Sequence, residues 1–494
     1  MAKNHAGLSA WQLTMLALGT VIGGSFFLGS AVAIKAAGPA IIIAYALVGV
    51  LVYVILYALS EMTTADPTPG SFRTFAQRAY GPGVGFVVGW VYWTGLVLAM
   101  SSEATAVSIF IKAWLPDVSL PLLGTVVIIG VTLLNLLGAD RLSKLEGGLA
   151  IVKLLAIVGF ILLGLALING LITGIPRIGA GELMSEPWFP TGIRGIAGSM
   201  LIVMFTYAGF EIIGLAASEA KNPHQTIPKA ITLTVLGLVG LYVAAIAVLL
   251  PLMPTEALGG NESPLVAALV RWRLGWAGSV IGIVLVTAIL STMLAAMFGL
   301  GRMIRSLADE GYAPSWVKDT GDVPYRGIIF SGIAMLGGLG LGFLLPEQVY
   351  LFLVSSGGFA LLFTYVIILA THYKFRKQHG CPPEGQCQLP GYPWTSWLAL
   401  ISSVIIIASM PLIPGQGAGL LAGLMLVLLF SGVYYVQRGN LGNTKQAHPW
   451  TTLATRQPLS KDRLEMQFEV AEEQWMEQPP KDRDQGQDKD KDKE

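Results

Sequence analysis

Charge is what this chain has least of: 12% of its 494 residues are Asp, Glu, Lys or Arg, against 54% hydrophobic residues and a mean hydropathy of +0.65. That excludes a soluble protein of this length, in which about 25% of residues would be charged. Cysteine is nearly absent as well. Cys381 and Cys387 share one basic loop, on the side assigned below to the reducing cytoplasm. They read as free thiols, and without paired histidines nearby they make no zinc site; no metal or cofactor is expected. No Walker-type phosphate loop occurs, which excludes ATP as a direct energy source and leaves an ion gradient or exchange. The net charge of +1 says nothing about partners, and no nucleic acid partner is expected.

What the chain has instead is apolar length. Runs long enough to cross about 30 Å of hydrocarbon, roughly 20 residues each, recur at about 11–34, 38–60, 86–113, 120–138, 146–173, 192–217, 229–252, 277–304, 325–345, 348–371, 396–413 and 417–437. The expectation is an all-α polytopic membrane protein with twelve transmembrane helices in a lipid bilayer. The first ten residues are short and polar, with no small-residue cleavage site before Trp11, so no cleavable signal peptide is expected. With the N-terminus placed in the cytoplasm, that side carries 14 Lys and Arg and the opposite side 6, with ten more in the tail and Lys153 inside a span. Both termini are therefore expected in the cytoplasm of a cell (inner or plasma) membrane protein. After residue 437 the composition changes. Leu464, Phe468, Ala471 and Trp475 have helical spacing, so a short amphipathic helix is expected near 459–477, followed by a disordered, charge-alternating end.

Two spans are interrupted. Residues 201–228 read LIVMFTYAGFEIIGLAASEAKNPHQTIP, placing Thr206, Ala208, Gly209 and an ionisable Glu211 in the middle of an apolar run. A carboxylate at bilayer depth either lines a pathway or bonds across a helix interface. The first span has Gly19, Gly23, Gly24, Ser25, Gly29 and Ser30 clustered mid-membrane, where glycines weaken a helix by about 1 kcal/mol each. A break would leave N–H groups pointing into the bundle for an anion, and free carbonyls for a cation. Close packing through small residues is the other reading. Interruptions in spans one and six are what a 5+5 inverted repeat predicts, with helices 1–5 related to 6–10, two additional C-terminal helices, and a site at the repeat interface. Phe26, Phe27, Phe205, Tyr207 and Phe210 are aromatic rings that could close over a bound molecule there.

These residues carry a resemblance. IGGSFFLGS and FTYAGFEIIGLAASEAKNPHQTIPKAI are similar to the first- and sixth-helix signatures of amino acid permeases of the amino acid, polyamine and organocation superfamily, in the bacterial amino acid transporter branch. Glu103 set 11 residues before Trp114, Glu146 with Lys153, and LGRMIRSLADEGYAPSW resemble it too, over about residues 10–440. Ser25 departs from it, standing where the family usually has glycine.

The resemblance implies a substrate site in which Gly23, Gly24 and Ser25 present N–H groups to an amino acid carboxylate. Carbonyls near Ile22, Phe205 and Ala208 would receive its ammonium, and Phe205 would act as a gate. Glu211 would link occupancy to gating or protonation. Where sodium-coupled relatives hold a cation between helices 1, 5 and 8, the ammonium of Lys153 is expected on first-helix carbonyls and the hydroxyl of Ser291 or Thr292. A lysine that charges and discharges there would couple protons to transport; a snorkelling interface anchor is the alternative. Glu103 is either a protonated hydrogen-bonding acid or a substrate contact. Glu219, Lys221, Asn222 and Pro223 form a cap and cytoplasmic gate that can pair with Arg302 or Arg305, or serve topology alone. Met100, Ser101, Tyr207 and Trp93 complete the expected pocket, which favours neutral amino acids.

The function expected is a secondary active permease, not an enzyme, importing amino acids with protons by alternating access. An exchanger on the same fold and a non-transporting amino acid sensor are the alternatives. Residues 1–10 would be a cytoplasmic N-terminus, 11–371 the transport core, 372–395 a cytoplasmic loop, 396–437 helices 11 and 12, and 438–494 the cytoplasmic tail.

Overall fold

A computed structural model describes residues 8–65, 68, 70–137, 139–211, 213, 220–259, 262–319, 323–341, 349–380 and 389–437. The cysteine pair, Glu219 and the expected amphipathic helix near 459–477 lie outside the described residues. The protein is all-helical, with no strand among the described residues and a single isolated parallel bridge between Leu8 and Ala220.

Helix α1 (Ala10–Val21) starts at a capping box, in which the Ser9 side chain accepts from Gln12 N–H while the Gln12 side chain accepts from Ser9 N–H. After a break at residues 22 and 23 and a π-helical turn (Ser25–Gly29) comes α2 (Ser30–Ala37). It stops at Gly38, whose φ of +64° only glycine adopts without strain. The chain continues through α3 (Ile41–Ala65), α4 (Ser71–Tyr80), α5 (Pro82–Lys112), α6 (Leu120–Asn135), α7 (Ala139–Asn169) and α8 (Gly192–Thr206). Then follow α9 (Pro223–Leu252), α10 (Pro264–Arg271), α11 (Gly275–Asp309), α12 (Tyr325–Gly340), α13 (Val349–His379), α14 (Trp394–Ser409) and α15 (Gln416–Gln437).

Among the described residues, eight helical stretches are long and apolar enough to cross a membrane, the first running from Ser25 to Ala65. Three shorter apolar helices, α1, α6 and α8, are too short to cross alone. Leu155, Leu162, Leu236 and Leu428 are all more than 60% exposed. Large apolar side chains kept exposed on such helices face lipid, which makes the chain a polytopic membrane protein.

Helix α5 is the hub, packing against α4, α6, α11, α12, α13 and α15. Its closest partner is α13, because small residues let the two backbones approach: a Cβ on Gly95 would lie 2.2 Å from the Ala360 Cβ. At one end of the bundle, two polar clusters tie helices together. Arg73 of α4, 1% exposed, makes a bidentate pair with Glu310 just after α11 (2.6 and 3.1 Å) and donates to Ser306 (2.9 Å). Glu61 of α3, fully buried, bonds His372 Nε2 of α13 at 2.7 Å, pairs with Arg376 at 3.4 Å and accepts from Leu389 N–H.

Tight α5 and α13 contact predicts that Gly95→Ala destabilises the protein by about 1–3 kcal/mol through overpacking. Gly240→Ala, with nothing within 4 Å of the added carbon, should leave stability unchanged or raise it. Thermal unfolding of the two variants in detergent checks the difference.

Candidate functional site

The site forms where the first span unwinds. Ile22 is extended (φ −75°, ψ 101°), so the ladder of i to i−4 hydrogen bonds stops there. A continuous helix would bond Gly23 N–H to the Gly19 carbonyl, Gly24 and Ser25 N–H to the carbonyls of Thr20 and Val21, and Phe26 N–H to the Ile22 carbonyl. Phe26 N–H bonds Gly23 O instead (3.2 Å), sharing it with the ordinary i to i−4 bond from Phe27 N–H, and the orphaned groups need other partners.

Three side chains supply partners for four of them, the carbonyls of Gly19 and Ile22 and the N–H groups of Gly24 and Ser25. Lys153 of α7, 0% exposed, donates to Gly19 O at 2.5 Å and to Thr292 Oγ1 of α11 at 2.9 Å. Thr292 in turn donates to Ile22 O at 3.0 Å. Glu103 of α5 accepts from Gly24 N–H through Oε2 (2.7 Å) and from Ser25 N–H through Oε1 (3.1 Å). A Cβ on Gly24 would sit 2.5 Å from that Oε2, so only glycine admits the carboxylate. Of the two hydroxyls expected near Lys153, Thr292 is the one bonded to it; Ser291 is buried beside it on α11.

The second interruption faces the first. Helix α8 ends at Thr206, whose hydroxyl donates back to Val203 O (2.7 Å), and residues 207–211 turn. Gly209 takes φ +104° with Thr20 O only 3.2 Å from where a Cβ would stand, so conformation and space both require glycine. Thr20 Oγ1 approaches Gly209 O at 3.4 Å, joining the two breaks. Glu211 is buried and accepts from Tyr92 (3.0 Å), Tyr365 (3.2 Å) and Gly209 N–H (3.1 Å).

Between the breaks lies a cavity of about 70 Å³, room for a few waters. Of the residues expected at the site, Ser25, Met100, Glu103, Phe205, Ala208, Glu211 and Thr292 line it. Gly24 touches it through Glu103; Ile22, Gly23 and Lys153 stand behind its wall. Ser101 and Tyr207 lie outside it. One residue beyond Met100 is about 100° around the helix, which turns the Ser101 hydroxyl onto Met335 O of α12 (3.0 Å). Tyr207 is fully buried and donates to Tyr45 O (3.2 Å). Trp93 donates to Ser331 (3.0 Å). Phe26 and Phe27 also sit outside the cavity; Phe26 stacks on Tyr242 with centroids 4.0 Å apart. Arg305 pairs with Asp309 at 3.9 Å.

Tyr92 and Tyr365 are functional candidates the sequence reading missed. For Tyr92 a signal existed: positions 92, 96, 99 and 103 fall on one helical face, so counting back from Glu103 leads to it. Tyr365 comes from α13, more than 150 residues after Glu211, and no local spacing announces it.

Removing the Glu211 carboxylate strands two buried hydroxyls and an N–H. Glu211→Ala should destabilise the protein by about 2 kcal/mol or more, and Glu211→Gln by less, because the amide oxygen still accepts. Thermal unfolding of the pair, ranked against wild type, tests this.

Residues 12–439 match the family model described as amino acid permease. The chain is 33% identical over 442 residues to the uncharacterized amino acid permease YtnA of Bacillus subtilis (strain 168), covering 87% of this chain and 94% of that protein. It is 31% identical over 434 residues to the gamma-aminobutyric acid permease of the same organism, covering 85% and 92%. Over 452 residues it is 32% identical to the aromatic amino acid transport protein AroP of Escherichia coli O157:H7, covering 90% and 97%. Two interrupted helices enclosing a cavity with two buried carboxylates on its wall thus coincide with a match along nearly the whole chain, which belongs to the amino acid permease family.

Proposed function

We propose that the protein is a secondary active permease that imports amino acids, neutral ones in preference, by proton symport and alternating access. The observation that carries this reading is the pair of interrupted helices meeting at Thr20 and Gly209 beside a cavity, with freed main-chain N–H groups and carbonyls at the break held there by Glu103, Lys153 and Thr292. Such dipoles suit the two ends of a zwitterion without any covalent chemistry. Twelve spans follow if α1 with α2 is counted as the first, α8 as the opening of the sixth, and α3, α5, α6, α7, α9, α11, α12, α13, α14 and α15 as the others. In this reading both termini are cytoplasmic, and helices 1–5 and 6–10 form the inverted repeat.

The preference for neutral substrates rests on the acids themselves. Glu103 and Glu211, the two carboxylates lining the cavity, both have their oxygens engaged, so neither is held ready for a cationic side chain. Lys153 supports coupling through conformation. While charged it braces the Gly19 carbonyl of α1 against α11; deprotonated, it keeps fewer donors and that brace loosens. Phe205 and Glu211, which line the cavity, would serve in gating.

Uptake of a labelled neutral amino acid into proteoliposomes under an inward proton gradient, challenged by all twenty amino acids, tests the proposal. Accumulation in vesicles with no internal amino acid is the expected result; flux that requires internal amino acid would make the protein an exchanger. Lys153→Ala should lower proton-driven accumulation by about tenfold or more, equivalent to 1.4 kcal/mol of coupling, while counterflow persists.

A further inference from the structure

Gly24 and Ser25 N–H form the natural anion seat of this site, and a carboxylate of the protein already fills it. Glu103 places one oxygen on each amide, 2.7 and 3.1 Å away, in the bidentate arrangement that an amino acid carboxylate would adopt. Two carboxylates cannot share two N–H groups at such separations, because the charges repel and each would lose half its partners. Occupancy is therefore exclusive. We infer that Glu103 is a tethered stand-in for the substrate carboxylate, and that an arriving amino acid displaces it and leaves it holding a proton. This deepens the function proposed above and rests on it.

The proton follows from what surrounds the displaced side chain. Lys153 of α7 faces it but is already bonded to Gly19 O and Thr292. Tyr242 of α9 and Tyr350 of α13 face it with neutral hydroxyls. Across the cavity stand Tyr92 and Glu211, the latter a second acid. A free carboxylate moved into this wall would be a poorly paired charge at membrane depth. Taking one proton from water on the open side onto a Glu103 oxygen removes that charge. The loaded site then holds a zwitterion and a neutral Glu103, one positive charge more than before. Substrate and proton thereby favour each other's binding by the same factor.

Binding of tritiated L-phenylalanine, L-valine, L-serine and L-lysine to the purified full chain in nanodiscs tests this. Wild-type affinity for at least one probe should rise as pH falls, by up to about tenfold per pH unit. Glu103→Gln, whose neutral amide competes less well for the seat, and Glu103→Ala, which vacates it, should bind that probe more tightly at high pH and lose the slope. Proton-driven accumulation should fall in both while counterflow persists. An infrared difference spectrum of wild type, with probe minus without, needs no variant and should show loss of a protein carboxylate band and gain of a carboxylic acid band. Wild-type binding that is flat with pH, a slope that survives Glu103→Gln, or a difference spectrum without the acid band would overturn the inference and leave the permease reading standing. Failure of every probe to bind or be taken up by wild type and variants would overturn both.

Discussion

A break in a helix at membrane depth exposes main-chain groups that water cannot reach, and the rest of this site exists to satisfy them. An unpaired peptide group in hydrocarbon costs several kcal/mol, so unwinding one turn at Ile22 is tolerable only because freed groups find partners, while Thr20 and Val21 line the cavity. Lys153 and Thr292 take the carbonyls of Gly19 and Ile22, and Glu103 takes the N–H groups of Gly24 and Ser25. The signs are not interchangeable. Carbonyls at the end of α1 attract a cation and amides ahead of α2 attract an anion, as the ends of two short helices must. Charged partners also give the stronger hydrogen bonds, about 1.5–3 kcal/mol each. The glycines that make the break possible thus also dictate the ionisable residues around it.

Position follows from the long helices. Glu103, Lys153 and Thr292 come from α5, α7 and α11, each a continuous helix, so the partners of the broken segment are carried on unbroken rods. Helix α5 holds Glu103 in place by close packing on α13, and brings Tyr92 to Glu211 three turns from where it brings Glu103 to Gly24. One rigid rod therefore serves both breaks.

Much of this was legible in the sequence because apolar length and mid-span polarity are local signals. The interruption of the first span and the mid-span Glu211 could be read from residue types along single segments, whereas the expected partners of Lys153, with Ser291 or Thr292 left open, and the site roles of Phe205 and Ala208 came from the family resemblance. The occupant of the Gly24 and Ser25 amides could not, because choosing between the two readings of Glu103 requires knowing how α5 is rotated against the first span. Ser101 and Tyr207 fall outside the cavity for the same reason: neighbours in sequence are about 100° apart on a helix. The pairs of Arg73 with Glu310 and of Glu61 with His372 join residues more than 200 positions apart, and each looks from the sequence like an ordinary charge at a span end.

The contacts on either side of the break also differ. Helix α1 meets the main chain before α9 through Lys221 N–H on Leu8 O (2.9 Å), and its other end is held by Lys153. Its link to the π-helical turn ahead of α2 is the extended Ile22 and Gly23, after which Gly24 is already helical. Helix α1 also packs on α7, α9 and α11 and donates from Thr14 to Ala230 O, so the interruption at residues 22 and 23 lies between packed segments, whereas α5 and α13, in close contact at Gly95, Ala360 and Gly357, run unbroken. The Gly24 and Ser25 amides that Glu103 holds follow that interruption directly, so the same few peptide groups carry both the break and its carboxylate partner.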